Sequence, residues 1–188
     1  LLYLGRFHKG KNVDLLVKAW VEIRKIVQDS NWHLCLVGDG IEKSKLIKLS
    51  KKFPFKEFNW HISEPLFDEE KFCAYYSSDG FILSSDSEAM PMSVLEAMST
   101  GLISLISLET NLLSELSLNL AIKTQPEKNK IINSIKELIS LNEIEKKDIA
   151  IKMKSHIKCN YNKHLISEKY LELYNWSCFD AKKPNFIY

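Results

Sequence analysis

Short apolar runs alternate with amphipathic helical segments along this chain, and no other feature of the sequence constrains its fold as strongly. Alternation of this kind is typical of βαβ units, in which helices cover both faces of a parallel sheet. The sequence therefore predicts an α/β fold with a single doubly wound parallel sheet and helices on both faces. Its six strands are expected near residues 1–5, 33–37, 56–60, 79–84, 102–106 and 118–122.

Helices are expected between these strands and, as a group of three, after the last of them. The final helix, near 163–176, opens a helical tail of about 163–188 that is rich in aromatic side chains. An amphipathic helix of this kind either packs on its own domain or crosses to a second one, and the pattern fits both. The other predicted helices lie near 12–29, 40–51, 68–76, 91–100, 111–116, 127–140 and 143–158.

Length and charge narrow the classes of protein and partner. With 188 residues and 45% hydrophobic content the chain can bury one sizeable core, so residues 1–188 are predicted to form one domain. The 26 Lys and Arg nearly balance the 24 Asp and Glu, which gives no case for nucleic acid or an anionic membrane as an obligate partner. No apolar run approaches the ~20 residues of a membrane span, and no signal peptide is evident. We therefore expect a cytoplasmic protein.

The cysteines and the first residues also bear on the organisation of the chain. Cys35 lies in an apolar run, and the other cysteines show neither CxxC nor paired metal spacing. We therefore expect reduced, structural thiols and no metal site. Because the chain starts inside an apolar strand and without a methionine, we also expect a piece of a longer protein.

The loops that follow strands are the candidate sites, because ligands of open parallel sheets bind beyond the carboxyl ends of the strands. The first strand is followed by the basic loop 5–12, GRFHKGKN. In it, the bidentate fork of Arg6 and the compact charge of Lys11 together match a diphosphate. Basic loops are also common on solvated surfaces, and His8 is typical of an ordinary surface histidine. The second strand is followed by Gly38-Asp39-Gly40, whose glycines permit a sharp turn or close approach of a ligand.

Two glutamates, Glu88 and Glu96, follow the fourth strand, eight positions apart. Pro91 fits the first position of the next helix, where its missing N–H costs nothing, and this leaves Glu88 in the preceding loop. The free amides and the dipole of that helix start suit a phosphate. On the local pattern alone, Glu88 is equally explained as a charge favoured by the dipole and Glu96 as a solvated helix residue.

Taken together, these motifs resemble the donor-binding half of family 4 glycosyltransferases. The resemblance includes Glu88 and Glu96, which are similar to the E-x7-E motif of that family, and it spans nearly the whole chain. It implies a Rossmann-like C-terminal domain of the two-domain GT-B architecture, which binds a nucleotide-diphosphate sugar and requires no metal or other cofactor. The matching segments are Gly5-Arg6-Phe7 with Lys11, Gly38-Asp39-Gly40, 65–71, 87–92, Asn111-Leu112 and 170–176.

The resemblance also implies a role for each matching site residue. Arg6 and Lys11 would hold the diphosphate of a UDP-, GDP- or ADP-sugar, Glu88 would bind hydroxyls of the transferred sugar, Glu96 would bind the ribose hydroxyls, and amides around Met90, Pro91 and Met92 would contact the distal phosphate. Arg6, Lys11 and Glu88 are thereby the expected catalytic residues, because fixed charges stabilise the departing diphosphate as an oxocarbenium-like state forms. Glu88 is expected to position the sugar and not to act as a nucleophile.

For the whole protein, the resemblance implies a retaining glycosyltransferase that acts on a polysaccharide or lipopolysaccharide acceptor. The acceptor domain would be an N-terminal one absent from this chain, so these residues alone would bind the donor without transferring sugar. The complete enzyme could associate with the inner face of the cell membrane. Ala89 and Glu64 stand where relatives often have glycine. They keep open the alternative of a non-catalytic module that binds nucleotide sugars. A second alternative is a sugar-nucleotide epimerase of the same fold, which would need acid/base residues from a second domain.

Overall fold

Six parallel strands form one sheet in the computed structural model, which describes residues 1–27, 31–179 and 181–186. The sheet order is β3-β2-β1-β4-β5-β6. The strands are β1 (Leu2–Leu4), β2 (Leu34–Val37), β3 (Trp60–Ser63), β4 (Phe81–Leu83), β5 (Ser104–Ser107) and β6 (Ile122–Thr124). The helices are α1 (Val13–Ile26), α2 (Lys43–Lys52), α3 (Phe55–Phe58), α4 (Asp68–Tyr76), α5 (Met92–Thr100), α6 (Leu113–Ser117), α7 (Lys128–Ser140), α8 (Glu143–Asn160) and α9 (Lys163–Phe179).

The direction of the crossovers reverses between β1 and β4. From β1 the chain builds outward through β2 to β3, and from β4 it builds in the opposite direction through β5 to β6. Right-handed crossovers therefore place the connecting helices of the two halves on opposite faces. Accordingly, α1 packs with α2, α3 and α7, whereas α5 packs with α4 and α8. The predicted doubly wound sheet with helices on both faces is confirmed.

The core lies between the sheet and these two helix layers. All three residues of β4 are buried, as expected for a central strand covered on both faces. The indole N–H groups of the two buried tryptophans each find a carbonyl: Trp20 donates to Phe58 O at 2.8 Å and Trp60 to Phe53 O at 2.9 Å. These bonds satisfy the polar end of each ring inside the core.

The strand predicted at 56–60 lies later, because Phe55–Phe58 form α3 and β3 spans Trp60–Ser63. Pro54 precedes α3, and Asn59 ends it in a left-handed conformation with φ 50°. Proline suits a helix start and asparagine tolerates positive φ, so the two residues frame one helical turn. Phe55 stacks edge-on against Trp60 at 4.6 Å between ring centroids, which explains an apolar pattern that resembles a strand.

The last strand also lies later than predicted, at Ile122–Thr124 instead of 118–122. Asn119, two residues after the end of α6, takes φ 55°, and a chain turning through positive φ cannot continue there as an extended strand.

The burial of the cysteines agrees with the sequence prediction at one position only. All four cysteines are free, but only Cys35 is partly buried and the other three are exposed, so the expected structural role holds for Cys35 alone.

Within the described ranges, no helix combines the length and the hydropathy needed to span a bilayer.

Helix α9 stands apart from the core. None of its residues is buried, and Tyr170, Tyr174 and Phe179 are 69%, 56% and 68% exposed. It makes no extended contact with another described element. Of the two alternatives for this helix, packing on its own domain is therefore not observed.

Shortening the chain to residues 1–162 is expected to shift the thermal unfolding midpoint by only about 2 °C or less, because no apolar side chain of α9 leaves a core. Circular dichroism melting measures this shift. A chain shortened to residues 1–142 is the control: it also loses α8, whose Met153 and Ile157 are buried, and should melt at a clearly lower temperature. Equal losses for the two truncations would contradict the assignment of α9 as peripheral.

Candidate functional site

A cleft of about 430 Å³ opens beyond the carboxyl ends of β1 and β4, where the crossovers diverge. Such a switch point is where doubly wound sheets bind ligands. The loop after β1 forms one wall of the cleft, and the loop after β4 with the start of α5 forms the other. The structure brings together six of the seven predicted site residues in this lining: Arg6, Lys11, Glu88, Met90, Pro91 and Met92.

The loop after β1 is tied to the loop after β4 by Asn12. Asn12 adopts a left-handed conformation with φ 54° between a short 3-10 turn, Lys9–Lys11, and α1. Its side-chain amide donates to Ser84 O at 3.2 Å and to Asp86 Oδ1 at 2.6 Å. The Asp86 N–H donates back to Gly10 O at 2.8 Å. These bonds hold Lys11 against the opposite wall.

Lys11 and Glu88 form an ion pair across the cleft. The Lys11 ammonium donates to Glu88 Oε1, and Ser85 Oγ donates to the same oxygen at 2.6 Å. Ser85 is fully buried, while the side chains of Lys11 and Glu88 are 27% and 12% exposed. Glu88 Oε2 accepts no hydrogen bond from any residue that the structure describes. The second oxygen is therefore the one available to a ligand.

Tyr3 lies beneath this pair. Its hydroxyl donates to Arg6 O at 3.0 Å, which fixes the backbone at Arg6. Burial, and secondarily the negative charge of Glu88, raises the pKa of Tyr3 well above its usual value. Tyr3 therefore stays a neutral donor, and the Glu88 charge is the negative one in the cleft.

The backbone around Glu88 is fixed by the loop after β5. The Glu88 N–H donates to Glu109 O at 3.2 Å, and the Asn111 N–H donates to Glu88 O at 3.3 Å. Ala89 is not among the residues of positive φ, so the conformational penalty considered for alanine at this position does not arise.

Helix α5 begins at Met92, so the prediction of Pro91 as the first helical residue is wrong by one position. Pro91 has ψ 89°, outside the helical range, and its carbonyl accepts the bond from Val94 N–H that starts the helix. Pro91 itself has no N–H to offer a phosphate. The amides of Met90, Met92 and Ser93 donate to no other described residue, so they are the donors at this end of the cleft.

Glu96 is the predicted site residue that the structure does not bring into the cleft lining. Its carboxylate is held by α4: Lys71 Nζ lies 2.7 Å from Oε1, and the Tyr75 hydroxyl lies 3.0 Å from Oε2. Burial, and then the charge of Glu96, raises the pKa of Tyr75 above its usual range. Lys71 and Tyr75 precede Glu96 by 25 and 21 residues, so no local spacing could have predicted these contacts.

The glycines of the second loop serve a close approach to protein. A Cβ on Gly38 would lie 2.0 Å from Gly5 O, and one on Gly40 would lie 2.4 Å from Phe7 O. The second loop thereby supports the loop that carries Arg6. Glu64, at the neighbouring strand end, is 76% exposed in its side chain and pairs with Lys43 at 2.8 Å.

The site combines two cationic side chains and free backbone amides with one free carboxylate oxygen. The exposed Arg6 side chain forms no ion pair in the described part of the chain, and Lys11 is compensated by Glu88 alone. With the free amides of α5, these groups suit an anion with two phosphates. Glu88 Oε2 suits a hydroxyl donor beside it. Among the described residues, no three His, Cys, Asp or Glu side chains cluster closely enough to hold a metal ion.

Comparison with known proteins identifies the family of this chain. The sequence profile of a family described as Glycosyl transferases group 1 matches residues 1–155. The amylovoran biosynthesis glycosyltransferase AmsD of Erwinia amylovora is 33% identical over 103 residues, which are 54% of this chain and 27% of that protein. The match thus covers little more than a quarter of that relative's length.

Solved structures share the fold. A sucrose-phosphate synthase from Thermosynechococcus elongatus gives a TM-score of 0.79 with 19% identity, covering 96% of this chain and 45% of that one. WaaG, described as a glycosyltransferase involved in lipopolysaccharide biosynthesis, gives 0.72 with 17% identity, covering 92% and 45%. The resemblance read from the motifs is confirmed: the chain belongs to the group 1 glycosyl transferases, that is, family 4 with the GT-B fold.

Proposed function

We propose that this chain is the donor-binding domain of a retaining glycosyltransferase that uses a nucleotide-diphosphate sugar. The observation that carries the proposal is the meeting of Arg6, Lys11, Glu88 and the free amides of α5 in one cleft at the switch point. A diphosphate on the basic side would place its attached sugar against Glu88 Oε2. The epimerase and the non-catalytic module remain alternatives, and no contact of the described residues favours either.

Each group has a distinct task in the proposed reaction. As the bond between the anomeric carbon and the diphosphate breaks, negative charge grows on the leaving phosphate and positive charge on the sugar ring. Arg6, Lys11 and the amides of Met92 and Ser93 would stabilise the charge on the leaving group, because the strand ends and loops hold their backbone at this end of the cleft. Glu88 would orient the sugar through its hydroxyls. We propose no metal requirement, since the cations of the chain supply this charge.

The acceptor and the domain that binds it lie outside this cleft. The descriptions of AmsD and WaaG, which name amylovoran and lipopolysaccharide biosynthesis, support a polysaccharide or lipopolysaccharide acceptor. The acceptor would bind to a further domain, and the exposed aromatic face of α9 suits a contact with it. A cytoplasmic location at the inner membrane face stays a prediction.

Titration calorimetry of the chain with UDP-, GDP- and ADP-sugars tests the proposal. We expect one donor to bind saturably, with and without a metal chelator, and Arg6→Ala to weaken it about 10- to 100-fold, because a charged hydrogen bond is worth about 1.5–3 kcal/mol. Glu96→Ala should weaken it as well if that carboxylate holds the ribose. Lys56→Ala, which removes an exposed cation on α3, is the control and should leave affinity unchanged. Failure of every donor to bind would overturn the proposal.

A further inference from the structure

Two side chains of the candidate site bind each other. Lys11 pairs with Glu88 Oε1 inside the cleft, and both side chains are largely shielded from water. The proposed function assigns the two groups to different parts of the ligand, Lys11 to the diphosphate and Glu88 to the sugar. A single ammonium cannot fully compensate both a carboxylate and a diphosphate, so the donor competes with Glu88 for Lys11.

We infer that Lys11 changes partner on donor binding, from Glu88 to the diphosphate, and that this exchange makes the site prefer a nucleotide sugar over the same nucleotide without its sugar. The inference rests on the proposed function and adds a specificity mechanism to it. Lys11 and Glu88 are thereby coupled, and neither acts on its part of the ligand independently.

The preference for a nucleotide sugar follows from the hydrogen bonds that each ligand can donate to Glu88. When Lys11 turns to the phosphates, the Glu88 carboxylate loses its cation and faces added negative charge. A sugar restores hydrogen bonds through its hydroxyls, whereas a nucleoside diphosphate offers Glu88 nothing. The free diphosphate thus binds only at the expense of the ion pair. After transfer, Glu88 recaptures Lys11, which favours release of the nucleoside diphosphate product.

Ser85 allows Glu88 to remain in place during the exchange. Its buried hydroxyl donates to Oε1 at 2.6 Å, the oxygen that Lys11 also uses. When Lys11 leaves, this bond and the backbone bonds of Glu88 to the loop after β5 remain. Oε2 therefore keeps its position at the cleft in both states.

The exchange predicts opposite effects of one substitution on two ligands. Calorimetry compares UDP, GDP and ADP with UDP-glucose, GDP-mannose and ADP-glucose on the 188-residue chain. Glu88→Gln should tighten binding of the nucleoside diphosphate about 2- to 10-fold, because Lys11 is no longer held by a charge. The same variant should weaken binding of the matching nucleotide sugar. Glu143→Gln, which removes a Lys–Glu pair on the surface of α8, is the control and should change neither affinity.

A second background separates exchange from simple charge repulsion. With Lys11 already replaced by alanine, Glu88→Gln should no longer tighten the nucleoside diphosphate, since no lysine remains to be released. Equal tightening in both backgrounds would overturn the exchange and leave repulsion by Glu88 as the cause. Unchanged or weaker diphosphate binding by Glu88→Gln would overturn the exchange while the proposed function stands. If no nucleotide or nucleotide sugar binds the unmodified chain, both fail.

Discussion

Replacing Gly38 with alanine is expected to destabilise the domain by about 3–5 kcal/mol, a large part of the 5–15 kcal/mol that holds a typical domain folded. The new Cβ would lie 2.0 Å from the Gly5 carbonyl oxygen, and the backbone has φ +148°, which side chains rarely allow. Neither loop can move away easily. Gly5 N donates to Val37 O at 3.0 Å and Gly38 N donates to Ser63 O at 3.2 Å, so both ends are held by the sheet.

Denaturant unfolding measures this loss, and Gly10→Ala is the matched control. A Cβ on Gly10 would meet nothing closer than His8 Nδ1 at 3.8 Å and Asp86 Oδ2 at 3.9 Å, and its φ lies outside the restricted range. That variant should change the free energy of unfolding by less than about 1 kcal/mol. Similar losses for the two variants would show that the loops adapt and that the close approach at Gly38 is not required.

Four of the six strands could be placed from the sequence because each is a mostly buried apolar run with its own local signal. Phe81, Ile82 and Leu83, for example, follow one another in a central strand, and a parallel sheet buries both faces of such a strand. The loops after β1 and β4 meet in one cleft because these two strands are neighbours in the sheet and their carboxyl ends lie at the same edge.

The local sequence pattern gave a wrong prediction where the same residues fit both a strand and a helical turn. Aromatic residues at 55, 58 and 60 resemble the pattern of a strand, and only Pro54 and Asn59 distinguish a helical turn at 55–58. The prediction of α5 is correct except for its first residue, which is Met92 and not Pro91, and an error of one residue is the usual precision for helix ends.

Contacts between distant residues could not be predicted at all. The pairing of Lys11 with Glu88 joins residues 77 apart, and it turns two expected ligand-binding groups into partners of each other. The ties of Glu96 to α4 likewise depend on how α4 and α5 pack, which no motif states. The sequence was enough to name residues of the site, but not to show which of these side chains pair with each other.

A buried hydrogen-bond cluster that the sequence did not indicate surrounds Glu115, which is fully buried in α6. Its Oε1 accepts from His156 Nε2 and from the Tyr161 hydroxyl, both at 2.8 Å, and its Oε2 accepts from Ser114 Oγ at 2.6 Å. The cluster joins α6 to the end of α8. Burial, followed by the hydrogen bond to the Glu115 carboxylate, raises the pKa of Tyr161 to about 12, so Tyr161 remains a donor.

Replacing Glu115 with glutamine is expected to lower the free energy of unfolding at pH 7 by about 2–4 kcal/mol, because the buried donors lose the charge they surround. Glutamine keeps the size of the side chain, so no cavity forms. Glu143→Gln removes an exposed carboxylate paired with Lys146 at 2.9 Å and should leave the unfolding midpoint nearly unchanged. Urea unfolding of the three proteins measures the difference.

The pH dependence identifies the charge as the cause. Burial by itself would raise the pKa of Glu115, but hydrogen bonds from Ser114, His156 and Tyr161 outweigh it and hold the pKa below its usual value. A carboxyl with a lowered folded pKa stabilises the native state above its unfolded pKa of roughly 4.3, and this stability is lost as the pH falls through the folded value. As far as this carboxyl is concerned, the difference in free energy of unfolding between the unmodified protein and Glu115→Gln should therefore be constant from pH 7 to about 5. It should narrow below roughly pH 4. A difference that persists undiminished at pH 3 would show that the charge is not the cause, and would assign the loss to the amide NH2 of glutamine, which cannot accept the hydrogen bonds that the carboxyl oxygen accepts.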